Sequence, residues 1–390
     1  ALVMSLSLVA CGDKKTDDTK TDEPDQKTEH PAENEGAYKV AMITDYGDIT
    51  DQSFNQTTYE ACKAFAEDNS IEFSYFKPAG DNTADRVAMI EKAVDEGFNV
   101  IVMPGYAFGG AIVEAAPEFP DVKFIALDVA AGDLLETAVA KAGEAYDYTP
   151  ENWDLNKYVD MSNVYCAVYQ EELCGYMAGY AAVKLGYKNL GFLGGMSVPA
   201  VVRYGYGFVQ GVDAAAADLG LTDVKLNYIY GGQFFGDADI TAVMDTWYQG
   251  GTEVVFACGG GIYTSAVDAA KKVNAKVIGV DVDQAGVIAK YAGVDGMTVT
   301  SAMKGLYPAT YDTLTDVIVN GNWDKYVGKI ATLGLVSGTD PEANYVQIPM
   351  GDGTQWSDSF TQDDYKAMVK DMFDGKITVS NNTSSDVSAA

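Results

Sequence analysis

The chain has 390 residues, 47% of them hydrophobic and 21% charged, which is enough to bury two cores of domain size. Its formal net charge is -31 at pH 7, from 26 basic and 57 acidic residues. That balance excludes a nonspecific nucleic-acid binder, whose affinity rests on lysines and arginines at phosphates, and it disfavours adsorption to an anionic membrane surface.

The opening run ALVMSLSLVACG is apolar but too short to span a bilayer, which takes roughly 20 residues. It has the length of the apolar part of a signal peptide, and the basic segment that precedes such a part is expected upstream. Leu8 to Gly12 resembles a bacterial lipobox, which would make Cys11 the lipid-bearing first residue of the mature protein. Residues 12–36 then hold no aliphatic side chain larger than alanine, so they read as a flexible tether. His30, the only histidine of the chain, lies in that tether and leaves the folded body without one.

Beyond the tether, strands and helices alternate. Short β-branched runs at 39–44, 71–76, 100–103 and 123–127 read as buried parallel strands. Helical patterns at 54–69 and 83–97 lie between them, the second with Val87, Ile90 and Val94 on one face. At 132–162 the rhythm breaks into a polar, tyrosine-containing stretch expected to be an irregular insertion at a cleft rim. A strand at 163–169 follows, then a helix at 170–186 whose Gly175, Ala178, Gly179 and Ala182 allow close packing. The alternation restarts with strands at 189–195, 225–232, 253–261, 276–283 and 298–305 and helices near 203–220 and 237–251. A further helix at 307–321 and an extended stretch at 345–351 follow. The fold class is α/β, with two doubly wound parallel-sheet lobes around a central cleft. Residues 37–170 with 306–322 are expected in the first lobe, 171–305 with 323–350 in the second, and 351–390 in a C-terminal extension.

Open α/β sheets bind ligands beyond the carboxyl ends of their strands. The residues there are Asp45, Gly105, Tyr106, Asp128, Phe234, Gly259, Asp281, Asp283 and Lys304. Ionised carboxylates accept hydrogen bonds and donate none, so Asp128 and Asp281 suit the hydroxyls of a vicinal diol and Asp45 suits N–H groups of a heterocycle. Phe54 and Phe234 offer flat faces for stacking, with Phe235 as an alternative to Phe234. Lys304 either donates to a ligand hydroxyl or balances Asp128 or Asp281. A phosphate would meet several negative charges, so uncharged polar rings fit better. Asp48 and Asp51 are expected to shape the turn and cap the helix beginning near Ser53. Gly259–Gly261 lacks the rest of any phosphate-loop pattern, and DVDQAG at 281–286 lacks the later ligands of an EF-hand. Cys62, Cys166, Cys174 and Cys258 form no CxxC pair, and no nucleophile-base set is recognisable, so neither a metal nor a cofactor is expected.

The lipobox LVACG, the segment DQSFNQ, the helix QEELCGYMAGYAA, and the strand ends GVDVDQ and TSAMKG together resemble the basic membrane protein family of ABC-transporter substrate-binding lipoproteins, over roughly residues 37–350. The resemblance implies a type I periplasmic-binding-protein fold, held to the membrane through Cys11 and closing on a nucleoside. It implies delivery to an ABC permease and its ATPase, and a monomer with no catalytic activity. By position, Asp45 and Asn55 would contact the base, with Phe54 and Phe234 sandwiching it. Asp128, Asp281 and Lys304 would hold the ribose, and backbone near Gly259 would assist. A sugar or autoinducer receptor of the same fold is the alternative; a nucleoside hydrolase is a distant third.

Overall fold

The computed structural model describes residues 37–383. The Cys11 lipobox and the tether at 12–36 lie outside the described residues. The first sheet contains β1 (Lys39–Ile43), β2 (Glu72–Phe76), β3 (Val100–Pro104), β4 (Lys123–Leu127) and β5 (Val164–Tyr169). β3 is buried along its whole length and β1 and β4 at all but their first residue. Continuous burial rather than alternation is what a parallel strand covered by helices on both faces requires. The second sheet repeats the plan with β6 (Asn189–Gly194), β7 (Lys225–Tyr230), β8 (Val254–Cys258), β9 (Lys276–Asp281) and β10 (Thr298–Lys304).

Two late strands complete the sheets: β11 (Lys329–Leu333) and β12 (Val346–Gln347). The orders are β2-β1-β3-β4-β5-β11 and β7-β6-β8-β9-β10-β12. Every pairing is parallel except that of β12 with β10. Both lobes therefore reverse strand order at the same place, between β1 and β3 and between β6 and β8. Loops leaving those strands open towards one cleft, as doubly wound sheets dictate.

Three segments carry the chain between lobes, near Gln170, Gly305 and Gly334, and they are hydrogen-bonded side by side. Gln170 N–H donates to Leu333 O at 2.9 Å, Tyr345 N–H to Gly334 O at 3.0 Å, and Gly305 N–H to Tyr345 O at 2.6 Å. A side chain at Gly305 would meet Tyr345, and one at Gly334 would overlap Gln170. These three segments form a narrow neck, and on either side of it each lobe keeps its own core.

Three expectations need correction. Residues 323–350 do not all belong to the second lobe, because β11 pairs with β5 at the edge of the first sheet. Lys329–Leu333 carries Lys, Ala and Thr in an edge strand, so its weak apolar signal hid it. Within the expected extension at 351–390, the described residues 351–383 are no extension: Tyr365, Met368, Val369 and Met372 of helix Gln362–Phe373 are buried in the second lobe's main core. The irregular insertion contains an ordinary helix, Ala131–Lys141, with Leu134, Leu135, Ala138 and Val139 buried.

Helices Glu171–Lys184 and Pro199–Leu219 pack with their backbones in contact. A Cβ at Gly175 would lie 2.3 Å from Tyr204 O, and one at Gly179 2.3 Å from Phe208 O. From the other helix, a Cβ at Gly207 would lie 2.1 Å from Glu172 O, and one at Gly211 2.1 Å from Tyr176 O. Both backbones are thus in contact through four glycines, and the opposing atoms are main chain that cannot step aside. Gly211→Ala should destabilise the protein by about 1–3 kcal/mol by forcing the pair apart, measured as a lowered urea midpoint. An unchanged midpoint would show that the helices are free to separate.

Candidate ligand-binding site

A cavity of about 390 Å³ lies between the lobes, and Asp45, Phe54, Asn55, Tyr106, Asp128, Phe234, Gly259, Asp281 and Lys304 all line it. It falls within the size range of small-molecule sites, roughly 300–1,000 Å³. Asp283 lies outside this lining and instead accepts from Ala285 N–H at 3.0 Å as a turn former.

The two lobes supply matching corners. Gly105 follows β3 with φ 123°, and Gly259 follows β8 with φ 145°, a region open only to glycine. Asp128 follows β4 with φ 58°, and Asp281 ends β9 with φ 64°. Left-handed backbone at two non-glycine residues is costly and is retained where the surrounding structure enforces it, typically at functional sites. Here it turns both carboxylates into the cleft from opposite sides.

At one end of the cavity stands Asp45. Its Oδ1 accepts from the backbone N–H groups of Tyr46 and Gly47, both at 2.6 Å, and from Asn55 Nδ2 at 3.2 Å. Burial pushes its pKa up, and those donors pull it back. Asn55 Nδ2 also donates to Asp51 Oδ2 at 3.1 Å, so the amide nitrogen faces two carboxylates. The amide oxygen therefore points the other way, and Asn55 Oδ1 is buried with no partner among the described residues. Asp51 caps the helix Phe54–Asn69 through the N–H groups of Ser53, Asn55 and Gln56, at 2.9, 2.9 and 3.1 Å. Asp48 accepts from Thr50 and from Lys77 at the rim.

Aromatic rings form the walls beside this end. Phe234 fits over two glycines: a Cβ at Gly195 would come within 2.3 Å of its ring and one at Gly259 within 2.6 Å. Phe235 is 60% exposed, so Phe234 is the ring turned inward. The ring facing Phe234 across the cleft is Tyr46, with centroids 6.3 Å apart and planes inclined by 26°. Phe54 lies further in, with the Lys304 ammonium 4.8 Å from its centroid. The hydroxyls of Tyr46 and Tyr106 both reach Met196 Sδ on the second lobe, at 3.6 and 3.7 Å.

At the other end Lys304, only 4% exposed, sits among three carboxylates. It is hydrogen-bonded to Asp128 and lies 3.5 Å from Glu171 Oε1 and 3.8 Å from Asp281 Oδ1. Burial pulls the lysine pKa down, but Asp128, Asp281 and Glu171 together raise it above the ordinary value, so the ammonium stays charged. Asp281 also accepts from the Ser53 hydroxyl of the first lobe and from the Tyr204 hydroxyl at 3.3 Å. Asp128 Oδ1 is buried with no partner among the described residues. Arg203 lines the same end and donates through Nε to Glu171 Oε2 at 2.7 Å.

Sequence reasoning missed Tyr46, Ser53, Asp133, Glu171, Arg203 and Tyr204. Tyr46 adjoins Asp45 in the first loop, and a stacking ring there was within reach of the same strand-end argument. Glu171 opens one helix, and Arg203 and Tyr204 lie in the second turn of another, where their spacing reads as ordinary helix. Among the described residues no group of three or more His, Cys, Asp or Glu is placed to hold a metal ion. Cys62, Cys166, Cys174 and Cys258 are free buried thiols.

A family described as ABC transporter substrate-binding protein PnrA-like matches residues 38–341. The chain is 26% identical over 355 residues to the ABC transporter nucleoside-binding protein BmpA of Lactococcus lactis subsp. cremoris, covering 87% of this chain and 88% of that protein. It is 26% identical over 322 residues to basic membrane protein B of Borreliella burgdorferi, covering 80% and 83%. A solved ABC transporter solute-binding protein from Aeropyrum pernix K1 superposes with TM-score 0.62 at 20% identity, over 90% of each chain. One from Conexibacter woesei gives 0.62 at 20% identity, over 88% and 99%. These likenesses identify the architecture as the type I periplasmic-binding-protein fold.

Burial pushes Asp133, which lines the cavity, up to about 7, and does the same to Glu172. Each holds in the folded state a proton that the unfolded chain releases near pH 4, so stability falls as pH rises from about 4 to about 7. Asp133→Asn should match the parent at pH 4 and exceed it at pH 8 by on the order of 1–3 kcal/mol. Denaturant titrations at both pH values check this; a pH slope identical to the parent's would refute it.

Proposed function

The chain belongs to the PnrA-like family of ABC transporter substrate-binding proteins, and on that premise we propose that it binds a purine nucleoside between its lobes and delivers it to a permease and its ATPase. The observation that carries this reading is the polarity of the cavity. One end presents two acceptors, Asp45 and Asn55 Oδ1, beside aromatic walls. The other presents Asp128 and Asp281 around the Lys304 ammonium. A nucleoside has the matching ends: a flat base with N–H groups on its edge, and a ribose diol whose protons suit carboxylates. Stacking of the base on such rings contributes about 1–3 kcal/mol.

Two acceptors without a donor favour a base edge that carries two donors. Guanine offers this with N1–H and its exocyclic amine, whereas adenine carries only its amine. A 5′-phosphate would bring further negative charge to an end that already holds Asp128, Asp281 and Glu171. The protein works by hinge closure as a monomer and carries out no covalent chemistry. The relative named as a nucleoside-binding protein supports the same ligand class.

Calorimetry should give tight binding of guanosine, weaker binding of adenosine by about 10-fold, and none of guanosine monophosphate under the same conditions. Asp281→Ala should weaken ribosides far more than free bases. Tight binding of a pyranose with no heat from any nucleoside would sink the proposal, and free nucleobases that fail to compete would point to the sugar receptor instead.

Residues 8–12 carry the lipobox pattern, and the proposed anchor is a lipid on Cys11 at the outer face of the cell membrane. Among the described residues no helix is long and apolar enough to cross a membrane. Expression in a bacterial host with labelled palmitate should label the parent and leave Cys11→Ser unlabelled; equal labelling of both would remove Cys11 as the anchor.

A further inference from the structure

Three cations line the cavity: Lys77, Arg203 and Lys304. Lys77 is half-exposed at the rim and bound to Asp48. Lys304 has three protons, and three carboxylates, Asp128, Glu171 and Asp281, surround it. Arg203 differs. It spends its Nε–H on Glu171, and its two terminal nitrogens take no acceptor among the described residues. Its side chain is 14% exposed while Glu171 is fully buried, so the guanidinium is fixed at its base and open at its tip.

The platform beneath it is rigid. Glu171 begins one of the two helices locked together by Gly175, Gly179, Gly207 and Gly211, and Arg203 belongs to the other. Neither residue can shift along its helix without breaking backbone contact. Across the cleft stand Asp128 and Asp133 of the first lobe, both of which feel the Arg203 charge.

A donor inventory then singles out one role. A sugar hydroxyl gives its proton to a carboxylate, and its oxygen then needs a donor in return. Acceptors are abundant at this end, whereas the protons of Lys304 face protein carboxylates. We propose that Arg203 is a specificity-determining residue whose terminal nitrogens donate to a hydroxyl oxygen of the ligand's sugar, with Glu171 as the positioning residue that holds the guanidinium. The inference rests on the nucleoside reading and deepens it: Arg203 adds a donor to the carboxylates that separate a nucleoside from its free base.

The test is calorimetry on the full chain, as parent, Arg203→Met, Arg203→Lys and Glu171→Gln, against inosine, its three monodeoxy forms and hypoxanthine. Arg203→Met should weaken inosine by about 10- to 100-fold and hypoxanthine by less than about 3-fold. Arg203→Lys, which keeps the charge but not the fork, and Glu171→Gln, which keeps an acceptor for Nε, should fall between parent and Arg203→Met on inosine alone. One monodeoxy form should bind the parent as weakly as inosine binds Arg203→Met, and should lose nothing further in that variant. Should Arg203→Met fail to fold, Arg203→Lys and the monodeoxy series decide, because a lysine must still spare hypoxanthine. Equal losses for inosine and hypoxanthine, no loss for either, or a full further loss on every monodeoxy form would overturn the inference. A parent that binds neither inosine nor guanosine would overturn the nucleoside reading and this inference with it, and one that binds guanosine alone is judged by the same criteria with guanosine, its monodeoxy forms and guanine. A parent that binds inosine normally, with Arg203→Met unaltered, overturns this inference alone.

Discussion

The Lys304 ammonium, buried among Asp128, Asp281 and Glu171, is the interaction on which the arrangement of the cleft depends. Its partners come from three elements: the corner after β4 in the first lobe, the end of β9, and the first turn of helix Glu171–Lys184. Three carboxylates without a cation would repel one another in a site shielded from water, and leaving them unpaired there would cost several kcal/mol. With the lysine present they can stay close together, and Asp128 and Asp281 can face the cavity as acceptors. The same ammonium lies against the faces of Phe54, Tyr169 and Tyr204, at 4.8, 5.4 and 5.6 Å from their centroids, which replaces part of its lost hydration.

Because Asp128 belongs to one lobe and Lys304 to the other, this pair also joins the lobes. Ser53 with Asp281, Gln52 with Gln284, and Tyr46 with Phe234 join them at further points. Binding chemistry and lobe contact therefore use the same residues. A substrate-binding protein that signals occupancy by closing needs that overlap, since a ligand shifts closure only through contacts that differ between open and closed forms. The lobes join through the three-segment neck, and the glycine-locked helix pair holds Glu171 and Arg203 in fixed relation within the second lobe.

Specificity within such a cleft follows from donor and acceptor counts more than from shape. Asp45 is preorganised by two backbone N–H groups and an amide, and Asn55 is oriented by two carboxylates, so neither side chain has freedom to re-pair. Fixed acceptors reject an edge that lacks donors, because the mismatch leaves buried polar atoms without partners. At the end around Lys304 the shortage runs the other way, and a donor is the scarce group.

Much of this was legible from the residues alone. Strand-helix alternation predicts two doubly wound lobes, because a parallel strand must be apolar throughout and its crossover must be a helix. The strand-end rule then picks out Asp45, Asp128, Asp281 and Lys304, which all line the cavity. Local chemistry also assigns Asp51 to its helix cap. What the tertiary structure alone decided is pairing over long separations. Lys304 meets Asp128 from 176 residues away, and Ser53 meets Asp281 from 228. β11 joins the first sheet and helix Gln362–Phe373 the second lobe's core because the chain recrosses the neck, and no local pattern encodes a return. Tyr46 stacks with Phe234 because the lobe geometry brings together rings from two distant loops. Arg203 faces the cleft because two helices touch through glycine, a contact whose consequence lies a full turn away from the residues that create it.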